Sequence, residues 1–268
     1  MKCLNRQSVT LPRKKPILNA RFSDVTLKET ADLSIERIKQ EKRDYICTVN
    51  VSILMAMRKS KQLRRFIERA PLIVADGQPI VWASHWLNRP LPERVTGIEL
   101  IEELALRAEQ EGIGLYLLGS TSDLIATAAR SLQSRYPNLQ VDYHDGYFSL
   151  EQPEDIVEDI NRSKAKILLV GMGVPRQEVF LEQNWEALSV NLAMGVGGSF
   201  DVISGAKERA PIWVQEVGLE WFYRFLQEPQ RLGMRYLTTN SRFVYELGKT
   251  LLRRWARRVA RRSPVRPL

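Results

Sequence analysis

Three places in the chain gather residue types that can do chemistry. The first is Asp76, which follows the apolar run Leu72–Ala75 directly and precedes Gly77. A carboxylate at the end of a buried strand can face a cleft and take the proton of an attacking hydroxyl. It can equally be a turn residue that satisfies nearby amides. The second is the run Val170-Gly171-Met172-Gly173-Val174-Pro175-Arg176-Gln177-Glu178, an apolar strand that ends in glycines before a proline opens a helix. Free amides at a helix start attract anions, so this turn is a phosphate candidate as well as an ordinary strand-to-helix turn. It is not a dinucleotide fingerprint, because Arg176 stands where the third glycine would be. Gly119-Ser120-Thr121 is a second, weaker turn of the same kind. The third place is Tyr45–Val51 (YICTVNV), where Thr48 and Asn50 alternate and project to one face of a predicted strand. They read either as ligands lining a site or as core residues bonded to neighbours.

Other chemistry is poorly supplied. The chain has two histidines, His85 and His144, far apart, and no Asp-x-Asp triplet of the kind that commonly holds a divalent ion against a diphosphate. Two cysteines, Cys3 and Cys47, are too few for a disulfide framework or a zinc cluster, and suit a reducing cytoplasm. No Walker A sequence is present, which disfavours a P-loop NTPase. Neither a metal nor an organic cofactor is expected.

The elements that position these residues alternate in type. Strands are predicted at Tyr45–Val51, Leu72–Ala75, Gly114–Leu118, Leu139–Tyr143, Lys166–Val170 and Val190–Val196. Between them the spacing predicts helices over Ser52–Ala70, Gly97–Gln110, Asp123–Arg135, Pro153–Ser163 and Pro175–Asn184. This order gives an α/β fold, a mainly parallel Rossmann-like sheet with helices on both faces. The glycine-rich and acidic turns all fall at the carboxyl ends of strands, where such sheets bind ligands. From Ile212 the pattern becomes helix only, a C-terminal helical appendage. The domain reading is a flexible lead-in at 1–20, an α/β domain at 21–211, the appendage at 212–247 and a basic tail at 248–268.

Charge singles out that tail. Of the net +9, eight basic residues lie from Lys249 onward with no acid among them, so the rest of the chain carries about +1. On a helix over Ser241–Arg262, Leu251, Leu252, Trp255 and Val259 share one face and arginines cover the remainder. Such a helix suits an anionic membrane surface. A solvated or nucleic-acid-binding tail is the competing reading, against which the near-neutral body speaks. No signal peptide or run of ~20 apolar residues is present. The chain is therefore expected to be cytoplasmic and peripheral on the inner face of the plasma membrane.

Taken in order, Thr48-Val-Asn50, Ala75-Asp76-Gly77, Arg94-Val-Thr-Gly97, the Gly119 turn, His144-Asp-Gly-Tyr-Phe148, Gly171-x-Gly-x-Pro-Arg-Gln-Glu178, Gly197-Gly-Ser-Phe-Asp201 and Gly218-Leu-Glu-Trp-Phe-Tyr-Arg224 resemble the WecG/TagA/CpsF glycosyltransferases, over about Tyr45–Tyr236. The resemblance implies inverting transfer of a hexose or N-acetylhexosamine, of the N-acetylmannosamine type, from a UDP-sugar to a polyprenyl-diphosphate-linked sugar, without a required metal. It implies Asp76 as the base and Thr48 and Asn50 as pocket residues. Arg94 would offset diphosphate charge, for which a guanidinium fork is suited. Gln177 and Asp201, with Gly119, Ser120, Gly171 and Gly173, would hold UDP. Arg224, Arg231 and Arg235 would approach the lipid diphosphate, although Met234-Arg235 replaces the paired arginines frequent in relatives. Gln78-Pro79 also departs from the usual small or apolar pair and leaves the donor sugar open. The implied partners are the UDP-sugar, the lipid-linked acceptor, the membrane surface and, as a candidate, a second copy of the chain; no nucleic acid is expected. The rival readings are a non-catalytic membrane scaffold of the same fold and a nucleic-acid binder using the tail.

Overall fold

A computed structural model describes residues 10–262, apart from the side chains at 231, 232, 235 and 258–262. The first elements among the described residues form an antiparallel hairpin of β1 (Lys14–Ile17) and β2 (Ala20–Ser23). Ile17 and Phe22 of this hairpin are fully buried, and β1 lies within the segment 1–20 read from sequence as a lead-in. Helix α1 (Leu27–Lys39) follows, opened by a capping box between Thr26 and Glu29.

Six strands then form one all-parallel sheet: β3 (Asp44–Val49), β4 (Leu72–Ala75), β5 (Leu115–Gly119), β6 (Val141–His144), β7 (Ile167–Gly171) and β8 (Leu192–Gly195). Their spatial order is β4-β3-β8-β7-β5-β6. Runs such as LIVA, LYLLG and ILLVG are apolar on both faces, as a sheet covered on both sides requires. One face is covered by the hairpin and by α2 (Val51–Ala56), α3 (Lys61–Arg69), α4 (Gln78–Trp86), α7 (Glu154–Ser163), α8 (Arg176–Asn184) and part of α12 (Pro229–Arg262). The other carries α1, α5 (Gly97–Glu111), α6 (Ser122–Arg135) and α9 (Ser199–Ile203). The α/β, Rossmann-like fold expected from the alternating pattern is the one observed.

Local differences have local causes. The strand read as Tyr45–Val51 stops at Val49, because the Asn50 side chain accepts the Ile53 N–H and caps α2. The single helix expected over 52–70 is two, with Ser60 capping the second through the Leu63 N–H. Helix α4 was not anticipated. Appendage helices α10 (Ile212–Glu216) and α11 (Glu220–Gln227) are short, whereas α12 runs unbroken for 34 residues, about 50 Å. Phe243 and Leu247 anchor it in the core, and the Arg58–Glu246 ion pair (3.0 Å) ties it to the end of α2. Leu251 also packs on that core, while Leu252 and Trp255 remain exposed. The apolar stripe expected on the tail is therefore split between packing and surface, and the Val259 side chain lies outside the described residues.

Candidate active site

Asp76 leaves the end of β4, its N–H bonded to the Val49 carbonyl of β3 (3.0 Å). On its other side Val95 donates its N–H to the Ala75 carbonyl (3.0 Å), so the segment leading into α5 lies along the strand end. That backbone bond carries Arg94 to Asp76. Thr96, next in line, caps α5 by accepting the Glu99 N–H and donating to the Glu99 carboxylate (2.8 Å). Burial lifts the Asp76 carboxyl from its usual range to about 6. The positive charges of Arg224 and Arg94 oppose that rise, and Glu220 and Glu99 add to it.

Asp76 thus sits under a cluster of three arginines and two glutamates. Arg94 donates to Glu220 (2.8 Å) and lies 3.4 Å from Glu99. Arg209 donates to Glu99 (2.5 Å) and reaches Glu220 at 3.9 Å, and Arg224 binds Glu220 at 3.3 Å. Glu220 is only 8% exposed. Burial alone would raise Glu99, but hydrogen bonds from Thr96 and Arg209, with the charges of Arg209 and Arg94, hold it below its ordinary value. Five formal charges sum to a single positive one. Glu220 and Arg224 belong to α11, so the cluster also fastens the appendage beside Asp76. Gly218 makes the approach close: its φ is +75°, and a Cβ there would lie 2.4 Å from Gln78 Cγ and 3.0 Å from Trp82 of α4.

A second part of the sheet edge lies at β5 and β7. The chain leaves β5 toward β6 and leaves β7 toward β8, in opposite directions, the switch point at which sheets of this kind take ligands in a crevice outside the carboxyl ends. Gly119 and Gly171 meet there. A Cβ on Gly119 would fall 2.5 Å from the Gly171 carbonyl, and one on Gly171 would strike the Phe200 ring. Ser120, at φ +60°, donates its N–H to Gly171 (3.3 Å) and accepts the Gly146 N–H (3.0 Å). The Gly173 side of the turn has open space. Arg176 points back to the Gly146 and Phe148 carbonyls and holds the loop that follows β6.

The remaining residues singled out from sequence are placed differently. Thr48 is buried and donates to the Gly195 carbonyl (3.0 Å). Asn50 does not share its strand face, being the cap of α2. Gln177 is 3% exposed, its amide held between the Gly197 N–H (3.1 Å) and Glu178 (2.8 Å). Asp201 is paired with Lys207 (2.5 Å), which also binds Glu228 (2.7 Å). Arg231 and Arg235 lie on α12, their side chains outside the described residues. Asp76, Arg94 and Arg224 come together, and the glycine turns meet at the crevice. Sequence reasoning missed Glu99, Arg209, Glu220 and Lys207. Glu99 had a signal in the Thr96-x-x-Glu99 box. Among the described residues no group of three or more His, Cys, Asp or Glu is placed to hold a metal ion.

A parallel sheet with glycine turns at its switch point and a buried carboxyl group at the end of the edge strand β4, on the same side of the sheet, is the setting of a nucleotide-dependent enzyme. The sequence profile of the glycosyl transferase WecG/TagA/CpsF family matches residues 15–257, and the chain belongs to that family of glycosyltransferases. It is 37% identical over 205 residues, 76% of its own length and 80% of the relative's, to the N-acetylglucosaminyldiphosphoundecaprenol N-acetyl-beta-D-mannosaminyltransferase of Staphylococcus aureus strain MW2. The enzyme of the same name from strain NCTC 8325 matches to the same extent. Among the described residues no helix is long and apolar enough to cross a membrane.

Proposed function

We propose that the chain transfers a hexose or N-acetylhexosamine, with inversion, from a UDP-sugar to a polyprenyl-diphosphate-linked sugar. The observation that carries this reading is the carboxyl of Asp76, raised toward neutrality and flanked by Arg94 and Arg224. A base with a pKa of about 6 is ionised at pH 7 yet basic enough to accept a proton from a hydroxyl as that oxygen attacks. The acceptor O–H proton passes to Asp76, the acceptor oxygen bonds to the anomeric carbon, and the bond to UDP breaks with its electron pair leaving on the diphosphate. Inversion follows from attack opposite the leaving group.

The dimensions suit the two ends of such a donor. β4 and β7 are separated by β3 and β8, so at ~4.8 Å per strand Asp76 lies about 14 Å from the crevice. UDP in the crevice, near Gly119, Ser120, Gly171 and Gly173, would extend its sugar across the ends of β8 and β3 toward Asp76. The buried Thr48 and Gln177 would support that floor from below, the half-exposed Asn50 would face it, and Asp201 with Lys207 would border it. Arg94, Arg224 and the α12 residues Arg231 and Arg235 would take the acceptor diphosphate, Glu220 giving up part of its hold as the more highly charged anion arrives.

The acceptor's lipid requires a membrane nearby. Trp82 and Trp86 of α4, Trp213 of α10, Phe222 and Leu226 of α11 and Trp255 of α12 are exposed, with Arg253 and Arg257 on the same helix as Trp255. Aromatic rings beside basic side chains favour the interface of an anionic bilayer. We assign the chain to the inner face of the plasma membrane as a peripheral protein. The test is incubation of a panel of UDP-sugars with a polyprenyl-diphosphate N-acetylglucosamine analogue. Release of UDP coupled to a heavier lipid product is expected; UDP binding without turnover across the panel would leave a scaffold in its place.

A further inference from the structure

Beneath the floor of the site lies a carboxyl group that no step above uses. Glu178, in the first turn of α8, is 8% exposed. Its Oε1 accepts the Gln177 amide N–H (2.8 Å), and its Oε2 is buried without a hydrogen-bond partner. The same Gln177 amide accepts the Gly197 N–H through its oxygen (3.1 Å). Gln177 fills the space that a side chain at position 195 would need, since a Cβ on Gly195 would lie 2.4 Å from Gln177 Nε2. The Gly195 carbonyl is held in turn by Thr48 (3.0 Å). One amide therefore braces the end of β8 and the left-handed Gly197 that turns the chain into α9.

An amide side chain has two orientations of nearly equal shape. In the reversed one its NH2 would face the Gly197 N–H, donor against donor. The ionised Glu178 carboxylate presents only acceptors and selects the orientation that holds the turn. A buried carboxyl with one oxygen unpartnered is a costly way to fill space, since an apolar residue of similar size would remove the desolvation penalty. The fold alone gives no reason to keep an acid there.

We propose that Glu178 is a positioning residue of the donor site: by fixing the Gln177 amide it sets the Gly197–Gly198 turn against which the UDP-sugar lies. This rests on the donor placement above. The test compares Glu178→Met, which keeps volume without an acceptor, with Glu178→Gln, whose carbonyl can still accept from Gln177. UDP binding by calorimetry, KM for donor and acceptor separately, and the Gly197 amide resonance are measured in folded protein. For Glu178→Met the expected result is roughly tenfold weaker UDP binding, the equivalent of one hydrogen bond. Donor KM should rise in step with acceptor KM unchanged, and the Gly197 resonance should move. Glu178→Gln should stay within about threefold of the parent, as a retained acceptor implies. Unchanged UDP binding in Glu178→Met, or donor and acceptor KM rising together, overturns the proposal. If Glu178→Met fails to fold, Glu178→Gln decides: a tenfold loss there with an unmoved Gly197 resonance overturns it as well. A parent protein that binds no UDP sinks the donor placement instead, while the Gly197 resonance still tests whether Glu178 sets the turn.

Discussion

Arg94 and Glu220 are 126 residues apart in the chain and 2.8 Å apart in the fold. One comes from the loop fastened to the end of β4, the other from the first turn of α11, so this pair couples the strand that carries Asp76 to the appendage. Both side chains are largely shielded from water, with Arg94 13% and Glu220 10% exposed. Breaking such a pair from one side leaves an uncompensated charge, at a cost of about 3–5 kcal/mol for a fully buried pair. Here the loss is smaller, because Glu220 keeps Arg224 and Arg209.

The pair is expected to show a coupling energy in a double-mutant cycle of Arg94→Met and Glu220→Gln, on the order of 1–3 kcal/mol. Urea unfolding of the four proteins measures it. Additive effects would mean that the two residues act independently and that the appendage is held elsewhere.

Asp76→Asn keeps the shape of the side chain and removes its ability to take a proton. Transfer should fall by about 10²–10⁴, the usual contribution of a general base, with UDP affinity little changed. Turnover at the parent rate would exclude Asp76 as the base. In the parent, the rate should rise with pH through about 6, because only the ionised carboxylate accepts a proton.

The same substitution should stabilise the fold. Asp76 has a folded pKa above its unfolded value, so its contribution is most favourable at low pH and fades as pH rises from about 4 through about 6. Removing the ionisable group lifts that penalty. The melting temperature of Asp76→Asn relative to the parent should therefore increase between pH 4 and pH 7, by the equivalent of about 1–3 kcal/mol. A pH-independent difference would mean that the carboxyl is not desolvated.

How these residues came to be legible in the sequence, or not, follows from the range of the interactions that place them. The strands announced themselves as apolar runs, and Asp76 and the glycine turns could be assigned to one edge because a parallel sheet puts all strand ends there. The cap at Asn50 was written locally but misread, since a polar residue after an apolar run looks the same whether it continues a strand or caps a helix; Ser60 lay inside helical spacing that runs on through both helices. The Arg94–Glu220–Arg209–Glu99 cluster joins the 94–99 segment to residues more than 100 positions further along the chain, and no periodicity reports which charges will meet. Gly119 and Gly171 read as phosphate turns; their glycine is also required by the close contact of the two strand ends with each other and with Phe200.

The basic tail makes a separate prediction. Flotation with vesicles containing anionic lipid should carry the protein, less so at high salt, and neutral vesicles should carry little. With Arg253 and Arg257 changed to Ser, at ~1 kcal/mol per basic residue near an anionic surface, binding should weaken by roughly tenfold or more. Equal binding to neutral vesicles would assign the contact to the exposed apolar side chains of α4, α10, α11 and α12 rather than to the arginines.

Gly218 offers the sharpest test of the appendage. It sits in the left-handed region at φ +75°, with Gln78 and Trp82 occupying the volume of any side chain. Alanine there adds backbone strain of about 1 kcal/mol and an overlap with the Gln78 stem, which is not the free end of a flexible chain. The strain is relieved most easily by moving α11 away from α4, since α11 is short and the sheet core beneath is rigid. Gly218→Ala should therefore increase hydrogen exchange in α11 and reduce transfer to the lipid-linked acceptor, while UDP binding at the β5–β7 crevice stays close to the parent. A fall in UDP binding of the same size as the fall in transfer would show that the disturbance had spread through the sheet, and that the appendage does not act on the acceptor side alone.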